Sequence, residues 1–132
     1  MQARGKILLV EDDSAIRGLI RTLLEPDFEL AEAPNGVVAL VQAWDTRPDV
    51  IVLDLEMPAM GGDEAAPYLR VLSPKSRIVA FSSSLTSKPF WADAFVDKSD
   101  AIGLVELVGR LAAGVEPVVP SLSGSALLRQ VS

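Results

Sequence analysis

Two residue types are missing from this chain of 132 residues, cysteine and histidine. Without cysteine the chain can form no disulfide, thiol nucleophile or iron–sulfur site, and without histidine it can form no histidine-based triad, histidine-rich zinc site or phosphohistidine carrier. No apolar run is long enough to span a bilayer, and residues 1–6 lead into a predicted strand without the apolar core of a signal peptide. We therefore expect a soluble cytoplasmic protein that does not contact the membrane.

Basic residues are scattered, and acidic residues outnumber them. The chain has 12 Lys and Arg against 18 Asp and Glu, so its net charge is −6 and direct binding of nucleic acid is not expected. A length of 132 residues is enough for one domain with a sizeable core, and a hydrophobic content of 49% is ordinary for a soluble globular protein. The composition turns rich in proline and serine near the end. We expect a domain at residues 1–114 and a tail or linker at 115–132, where a frayed terminus is the plain interpretation and a docking segment or the stub of a linker to an output domain is the alternative.

Strand and helix patterns alternate along the chain. This alternation predicts a parallel sheet with helices on both faces, and its unit lengths fit a flavodoxin-like, doubly wound α/β fold with five strands in the order 2-1-3-4-5. Pro67 lies inside the third predicted helix, which predicts an irregular first turn or a late start. The predicted strands are Lys6–Val10, Phe28–Ala33, Asp49–Asp54, a segment within Ser76–Ser82 and Ala94–Asp97; the predicted helices are Ser14–Leu24, Asn35 to before Pro48, about Asp63 to Leu72, and Asp100 to about Ala112.

Acidic side chains follow two of these strands. Asp54 closes the third strand, and Glu11, Asp12 and Asp13 follow the first. In the predicted strand order these two strands are neighbours, and ligands of such sheets bind at the carboxyl ends of the strands. A carboxylate can accept a phosphoryl group, and Mg²⁺ prefers carboxylate and phosphate oxygens. The pattern predicts Glu11 and Asp12 as metal ligands, with Asp54 bridging metal and phosphorus. Asp13 is predicted to be the N-cap of the first helix.

A hydroxyl and a lysine follow the fourth and fifth predicted strands. Ser82 can donate a hydrogen bond to one phosphoryl oxygen, and Lys98 can pair with another. Each residue alone has an ordinary alternative, such as a helix cap, a solvated surface lysine or an uninformative serine. The ordered set of acids, hydroxyl and lysine at four strand ends is what favours a phosphoryl-transfer site.

Four stretches of the chain resemble the response-regulator receiver domain of two-component signalling, over about residues 5–113. The pattern Asp-x-x-Met-Pro-x-Met-x-Gly, which starts at Asp54, is the most specific part. The resemblance implies that phosphorylation of an aspartate in a phosphorelay switches a protein–protein interaction. The stretches are residues 9–13, 53–62, 81–83 and 95–98.

The resemblance also implies a cofactor, partners and a role for each matching residue. Mg²⁺ would be the cofactor, and the phosphoryl donor would be a sensor histidine kinase or a phosphotransfer protein, or a small donor such as acetyl phosphate. An unidentified downstream protein would receive the signal, and a homodimer is left open. The implied roles are Asp54 as phosphoacceptor; Glu11, Asp12, Asp54 and the backbone carbonyl of Glu56 as Mg²⁺ ligands; Ser82 as the switch hydroxyl; Phe95 as the coupled aromatic; and Lys98 as the phosphate-binding lysine.

Two lysines compete for the last of these roles. Lys88 precedes a Pro-Phe pair, as in the family, but it follows Ser82 too closely for a helix and a strand to fit between them. Lys98 follows a predicted strand and precedes a predicted helix, so we choose Lys98. Ser99, not proline, comes next, and a cis bond without proline costs about 2.5–4 kcal/mol. We expect the Lys98–Ser99 bond to be trans or visibly strained.

The interval between Ser82 and Lys98 is shorter than in the family, by about one and a half helical turns. Residues 86–91 also form a poor helix, so the family's fourth helix, between the fourth and fifth strands, is expected to be reduced or absent. Phe90 and Trp91 lie there. They either cover the core in place of the helix, the more frequent use of large aromatics, or form a reshaped signalling surface.

Three functions are weighed. The first is a phosphorylated receiver that catalyses only its own phosphoryl transfer and loss, in which the Glu56 side chain could affect dephosphorylation. The second is a pseudo-receiver, an interaction module that works without phosphorylation. The third and remote one is a dehalogenase-like phosphatase, but its Asp-x-Asp motif would need aspartate where Glu56 stands.

Overall fold

The computed structural model describes residues 3–83 and 87–116, and in them five parallel strands alternate with four α-helices. The strand order is β2-β1-β3-β4-β5, so the predicted flavodoxin-like fold is confirmed. No described helix is long and apolar enough to cross a membrane. Most of the predicted tail, residues 117–132, lies outside the described residues. The elements are β1 (Lys6–Val10), α1 (Ser14–Leu24), β2 (Glu29–Ala33), α2 (Gly36–Thr46), β3 (Val50–Asp54), α3 (Gly62–Leu72), β4 (Arg77–Phe81), β5 (Ala94–Val96) and α4 (Ala101–Ala112).

The sheet is buried on both faces. Side chains alternate across each strand, so Ile7 and Leu9 of β1 enter one core cluster, while Leu8 and Val10 enter the other. The first cluster lies under α1 and α4, and the second lies under α2 and α3. Every residue of β3 is buried, which explains its unbroken apolar run and leaves only its last residue, Asp54, as a charged group.

Three helices begin at side-chain caps. Asp13 Oδ1 accepts hydrogen bonds from the backbone of Ala15 at 2.9 Å and Ile16 at 3.2 Å, so the predicted N-cap of α1 is confirmed. Asn35 caps α2, and Asp100 caps α4. Each cap contributes about 1 kcal/mol and fixes where the chain turns from a strand end into a helix.

Helix α3 corrects one prediction. It begins at Gly62 and runs through Pro67, so the expected irregular or late start was wrong. Pro67 removes one backbone donor from the helix. Asp63 and Glu64 in the first turn stabilise the helix, because their negative charges lie at the positive end of its dipole. The backbone N–H of Gly62 also donates to Leu55 at 3.1 Å, which anchors the start. Smaller differences are that β2 begins at Glu29 rather than Phe28, β3 at Val50 rather than Asp49, and β5 ends at Val96 rather than Asp97.

The segment between β4 and β5 contains no helix in its described residues, 82–83 and 87–93, as predicted. Residues 87–93, here called the connector, form a turn in which Ala92 N–H donates to Pro89 at 3.1 Å. Trp91 packs against the cluster under α2 and α3, and its indole N–H donates to Asp63 at 3.0 Å. Phe90 is 95% exposed. The two aromatics therefore differ, since Trp91 covers the core in place of a helix and Phe90 does not.

Candidate functional site

Two strand ends bring three carboxylates together. Val10 of β1 lies in register with Leu53 of β3, so the residues that follow β1 meet Asp54 at the end of β3. Glu11 is fully buried and Asp54 is 1% exposed, whereas Asp12 is exposed. One carboxylate oxygen from each of the three lies within 4.8 Å of the others. The arrangement is a compact acidic cluster with one open side, at Asp12.

Lys98 is the cation of this cluster. Its Nζ lies 3.0 Å from Glu11 Oε1 and 3.1 Å from Asp54 Oδ2. Burial acts against the ammonium, but the pairing with Glu11 and Asp54 outweighs it, so the pKa of Lys98 is raised. One lysine therefore faces two buried carboxylates, which leaves the site with an excess of negative charge.

The two buried carboxylates, those of Glu11 and Asp54, are destabilised as anions. Burial raises the pKa of Glu11 to about 7, against the N–H of Asp13 and the Lys98 ammonium, and the Asp54 charge adds to the rise. Burial likewise raises the pKa of Asp54, although Lys98 and the N–H of Glu56 oppose it. Glu11 Oε1 and Asp54 Oδ2 accept no hydrogen bond of good geometry, and the ammonium of Lys98, at 3.0 and 3.1 Å, is shared between them. Buried oxygens of this kind call for a further positive partner, and three carboxylates with hard oxygen donors fit Mg²⁺.

The loop after β3 approaches Asp54 closely. Glu56 N–H donates to Asp54 Oδ1 at 3.2 Å, and the Glu56 side chain is exposed. A Cβ on Gly62 would lie 2.5 Å from the Asp54 carbonyl oxygen, so only glycine allows α3 to start this near β3. The Gly-Gly pair of the sequence motif thus sets the path of the loop that carries Glu56.

Arg17 was missed by the sequence reasoning. Its Nη1 donates to the backbone carbonyl of Glu11 at 2.7 Å, and its Nε lies 3.2 Å from Glu32 Oε1 on β2. Arg17 follows Asp13 by one helical turn, so an arginine at that spacing after the acidic run was the available signal. It holds the backbone from which Glu11 and Asp12 project.

The model of the family described as "response regulator receiver domain" matches residues 7–102. The chain belongs to this family. Receiver domains belong to the response regulators of two-component signalling. This chain has their fold, with its acidic cluster at the carboxyl ends of β1 and β3.

Known proteins similar to this receiver domain include methylesterases and chemotaxis proteins. It is 33% identical over 131 residues, 97% of this chain and 34% of the other, to protein-glutamate methylesterase/protein-glutamine glutaminase 2 of Hahella chejuensis. It is 35% identical over 79 residues, 59% of this chain and 66% of the other, to the chemotaxis protein CheY of Halobacterium salinarum. A LuxR-family two-component response regulator from Aurantimonas sp. has a solved structure with a TM-score of 0.76 and 27% identity, covering 97% of this chain and 99% of that one.

The chain spans only part of its methylesterase relatives. It covers 22% of the methylesterase of Rhodospirillum centenum and 34% of that of Hahella chejuensis. The similarity to those proteins is thus a similarity to a receiver domain.

The remaining predicted residues lie around the fifth strand of this receiver. Ser82 follows β4 and is 2% exposed, and its backbone N–H donates to Val96 of β5 at 3.2 Å. Phe95 is 38% exposed on β5, which is one of the two edge strands of the described sheet. Lys88 lies outside the cluster, because its Nζ donates to the Ala92 carbonyl at 2.7 Å within the connector.

The Lys98–Ser99 peptide bond is trans, as expected without proline. Asp97 holds the turn here. Its Oδ1 accepts hydrogen bonds from the Ser99 backbone N–H at 2.9 Å and the Ser99 hydroxyl at 2.6 Å. Lys98 therefore reaches the acidic cluster from a serine-containing turn.

Proposed function

We propose that this receiver domain accepts a phosphoryl group on Asp54 in a Mg²⁺-dependent reaction and thereby switches its binding to a downstream protein. The supporting observation is the pairing of the Lys98 ammonium, at 3.1 Å, with a buried carboxylate that belongs to a cluster of three acids. We assign the receiver to residues 1–114, with 115–132 as tail or linker. No enzymatic activity beyond the domain's own phosphoryl transfer and loss is proposed.

The proposed reaction needs positioning more than acid–base chemistry. A carboxylate oxygen of Asp54 attacks the phosphorus of a phosphohistidine on a sensor histidine kinase or phosphotransfer protein; a P–O bond forms, the P–N bond breaks, and the electron pair stays with the imidazole. Lys98 neutralises charge on a phosphoryl oxygen. Glu56 N–H, which donates to Asp54 Oδ1, leaves the other carboxylate oxygen on the side of Lys98.

Four groups would hold the metal: the carboxylates of Glu11, Asp12 and Asp54 and the backbone carbonyl of Glu56. Bound Mg²⁺ would supply the positive charge that the cluster lacks and that a phosphoryl group requires. Arg17 and the backbone N–H of Asp13, which donates to Glu11 Oε2 at 3.1 Å, would keep Glu11 oriented before the ion arrives.

The proposed switch uses the ends of β4 and β5. A phosphoryl group on Asp54 would draw the Ser82 hydroxyl towards it, and the hydrogen bond between Ser82 and Val96 ties that movement to β5, which carries Phe95. Phe95 would then change its packing. In this mechanism the added charge and its hydrogen bonds act locally, and they shift the equilibrium between two arrangements of the ends of β4 and β5.

A second candidate is an interaction module that works without phosphorylation. The observations in its favour are the connector in place of a helix and the serine after Lys98. The excess negative charge of the buried cluster weighs against it, because a pure scaffold would gain stability by losing that charge. A dehalogenase-like phosphatase is not proposed, since Glu56 stands where that family needs aspartate.

Intact mass after incubation with Mg²⁺ and acetyl phosphate tests the proposal. The parent should gain the mass of one phosphoryl group, Asp54→Asn should gain none, and Asp45→Asn, a change of an exposed acid on α2, should match the parent. If the parent gains nothing, binding of beryllofluoride, measured through the fluorescence of Trp91, decides between the two candidate functions. A Mg²⁺-dependent change then means a short-lived phosphate, and no change means that the second candidate is correct.

A further inference from the structure

Helix α2 has an unusual outer surface. Its residues from Gly36 to Trp44 include no charged side chain. Val37, Val41 and Trp44 are exposed by 51%, 58% and 55%, and they follow the i, i+4, i+7 spacing of one helical flank. On a receiver whose surface is otherwise rich in charge, this apolar flank has no use in the fold of a single chain.

The flank of α3 that faces α2 follows from the contacts of α3. Asp63 and Arg70, seven positions apart, both contact the connector, so their flank faces β5. Arg70 comes directly after the buried Leu69, and Tyr68 comes directly before it. Tyr68 therefore lies on the opposite flank of α3, which faces α2, and 57% of it is exposed.

The same reasoning orients α2. Helices α2 and α3 lie on the same face of the sheet, run in the same direction and pack against each other. Val37 and Trp44 each come directly after a buried residue, Gly36 and Ala43, as Arg70 does on α3. Since Arg70 faces the β5 side of α3, Val37 and Trp44 face the β5 side of α2. On α2 that side is occupied by α3. Val71 follows Tyr68 by three positions and so lies beside it on α3. Together, Val37, Val41 and Trp44 of α2 and Tyr68 and Val71 of α3 form one exposed apolar surface across the two helices, here called the α2–α3 groove.

The groove is large enough to be the centre of an interface. The exposed halves of Trp44 and Tyr68 alone amount to about 200 Å². With the three valines, of which Val71 is 78% exposed, the patch reaches the size that marks interaction sites. It would form the apolar core of a standard interface of about 800 Å² per partner.

Charge differs between the two ends of the groove. Glu64 is exposed in the first turn of α3, at the end near the acidic cluster. The other end carries two basic residues and one acidic residue. The guanidinium of Arg47 stacks 4.4 Å from the centre of the Trp44 ring, and Lys75 and Asp45 are exposed there. An identical groove laid across this one in the antiparallel sense would bring the Arg47 end of each copy to the Glu64 end of the other and would oppose the helix dipoles.

We propose that the α2–α3 groove binds the same groove of a second copy of this chain, as an antiparallel two-fold dimer. The valines, Trp44 and Tyr68 form its centre, and Arg47 pairs with Glu64 of the partner at each end. This contact leaves the acidic cluster and the connector uncovered. It does not depend on phosphorylation, so its failure and the failure of the proposed function are separate results.

Sedimentation equilibrium of the full chain, without phosphoryl donor, tests the proposal. The parent should dimerise. Val41→Glu should weaken dimerisation by at least tenfold, equal to about 1.4 kcal/mol. Ile102→Glu is the matched control, because Ile102 is 66% exposed on α4, on the other face of the sheet, and it should match the parent. A parent that stays monomeric up to about 1 mM, or equal effects of the two variants, overturns the proposal.

A charge exchange tests the antiparallel arrangement. Arg47→Glu should weaken the dimer, and the double variant Arg47→Glu/Glu64→Arg should restore it, with circular dichroism used to compare the fold of each variant with the parent. A double variant that is folded but no stronger as a dimer than Arg47→Glu overturns the pairing of the two ends.

Discussion

Two partly or fully buried groups of charges in this protein are built in opposite ways. Asp93, at the end of the connector, is surrounded by donors: Arg70 at 2.8 Å, the N–H of Ile78 at 2.7 Å, and Arg77 at 3.5 Å. Burial acts to raise its pKa, but these donors outweigh burial and the pKa of Asp93 is lowered. Glu11 and Asp54 share one lysine, and their pKa values are raised.

The difference separates structure from function. Asp93 has its charge compensated inside the chain, and it ties α3 and β4 to the connector that stands in for a helix. The acidic cluster keeps an uncompensated charge, which costs stability and is useful only to bind something positive. Removing a carboxylate should therefore have opposite effects in the two places.

The largest expected effect is on the satisfied group. Asp93→Ala should lower the free energy of unfolding by about 3 kcal/mol, because it leaves two arginines without their carboxylate and the Ile78 N–H without an acceptor. Urea unfolding measures this. Asp45→Ala, which removes an exposed acid, is the control and should leave stability unchanged. A loss as small as that of the control would mean that the connector does not depend on Asp93.

The second effect is pH dependence in the metal-free protein. The pKa of folded Glu11, about 7, lies above its ordinary value of 4.5, so its contribution to stability is full below pH 4.5 and is lost as the pH rises through 7. The free energy of unfolding should fall by a few kcal/mol across this window, since each unit of pKa shift corresponds to about 1.4 kcal/mol. The pKa of Asp93 is lowered, so its contribution is lost only at lower pH, as the carboxylate becomes protonated.

Unfolding of Glu11→Gln across the same pH range is the comparison. The fall between pH 4.5 and 7 should be much smaller in this variant, because the group that binds the proton is gone. Parallel curves for the parent and the variant would assign the pH dependence to another group and would contradict the contrast drawn here.

The third effect is the response to Mg²⁺. The ion should raise the free energy of unfolding by about 1.4 kcal/mol at ten times its dissociation constant. The gain should be larger at pH 8 than at pH 5, because the metal and the proton compete for the same carboxylates. Asp12→Asn should reduce it, while Asp13→Asn, which alters a helix cap beside the cluster, should keep most of it. Equal gains in both variants would mean that Mg²⁺ binds elsewhere.

The smallest expected effect has the opposite sign to that of Asp93→Ala. Asp54→Asn should raise the stability of the metal-free protein by about 1 kcal/mol, because it removes one of two buried acids and leaves Glu11 paired one to one with Lys98. Thermal unfolding without Mg²⁺ tests this. A destabilised Asp54→Asn would show that Lys98 compensates both carboxylates after all.

Much of the architecture could be predicted from local patterns. The run from 50 to 54 has no polar residue before Asp54, and in a parallel sheet such a run must be central. The lost helix was also predictable, since a short interval with poor helix formers leaves no room for one. The extent of α3 was not, because the acids of its first turn and the Gly62 contact with Leu55 outweigh Pro67.

The candidate site divides in a similar way. Placement of Glu11, Asp12, Asp54 and Lys98 at strand ends follows from the alternation of elements together with the family resemblance. Their roles in phosphoryl transfer stay predictions. The spacing of Arg17 after the acidic run is a local signal, but its ion pair with Glu32 joins α1 to β2, and no local pattern encodes that contact.

The sequence by itself determined the fold class, the strand order and the edge of the sheet at which the acids gather. It could do so because strand and helix periods and the carboxyl ends of parallel strands are properties of short segments. Tertiary structure alone decided that Trp91 packs against the core while Phe90 is exposed, that Asp93 is compensated while Asp54 is not, and that the apolar flank of α2 faces α3. These outcomes depend on which side chains of distant segments meet, and packing of the whole chain sets that.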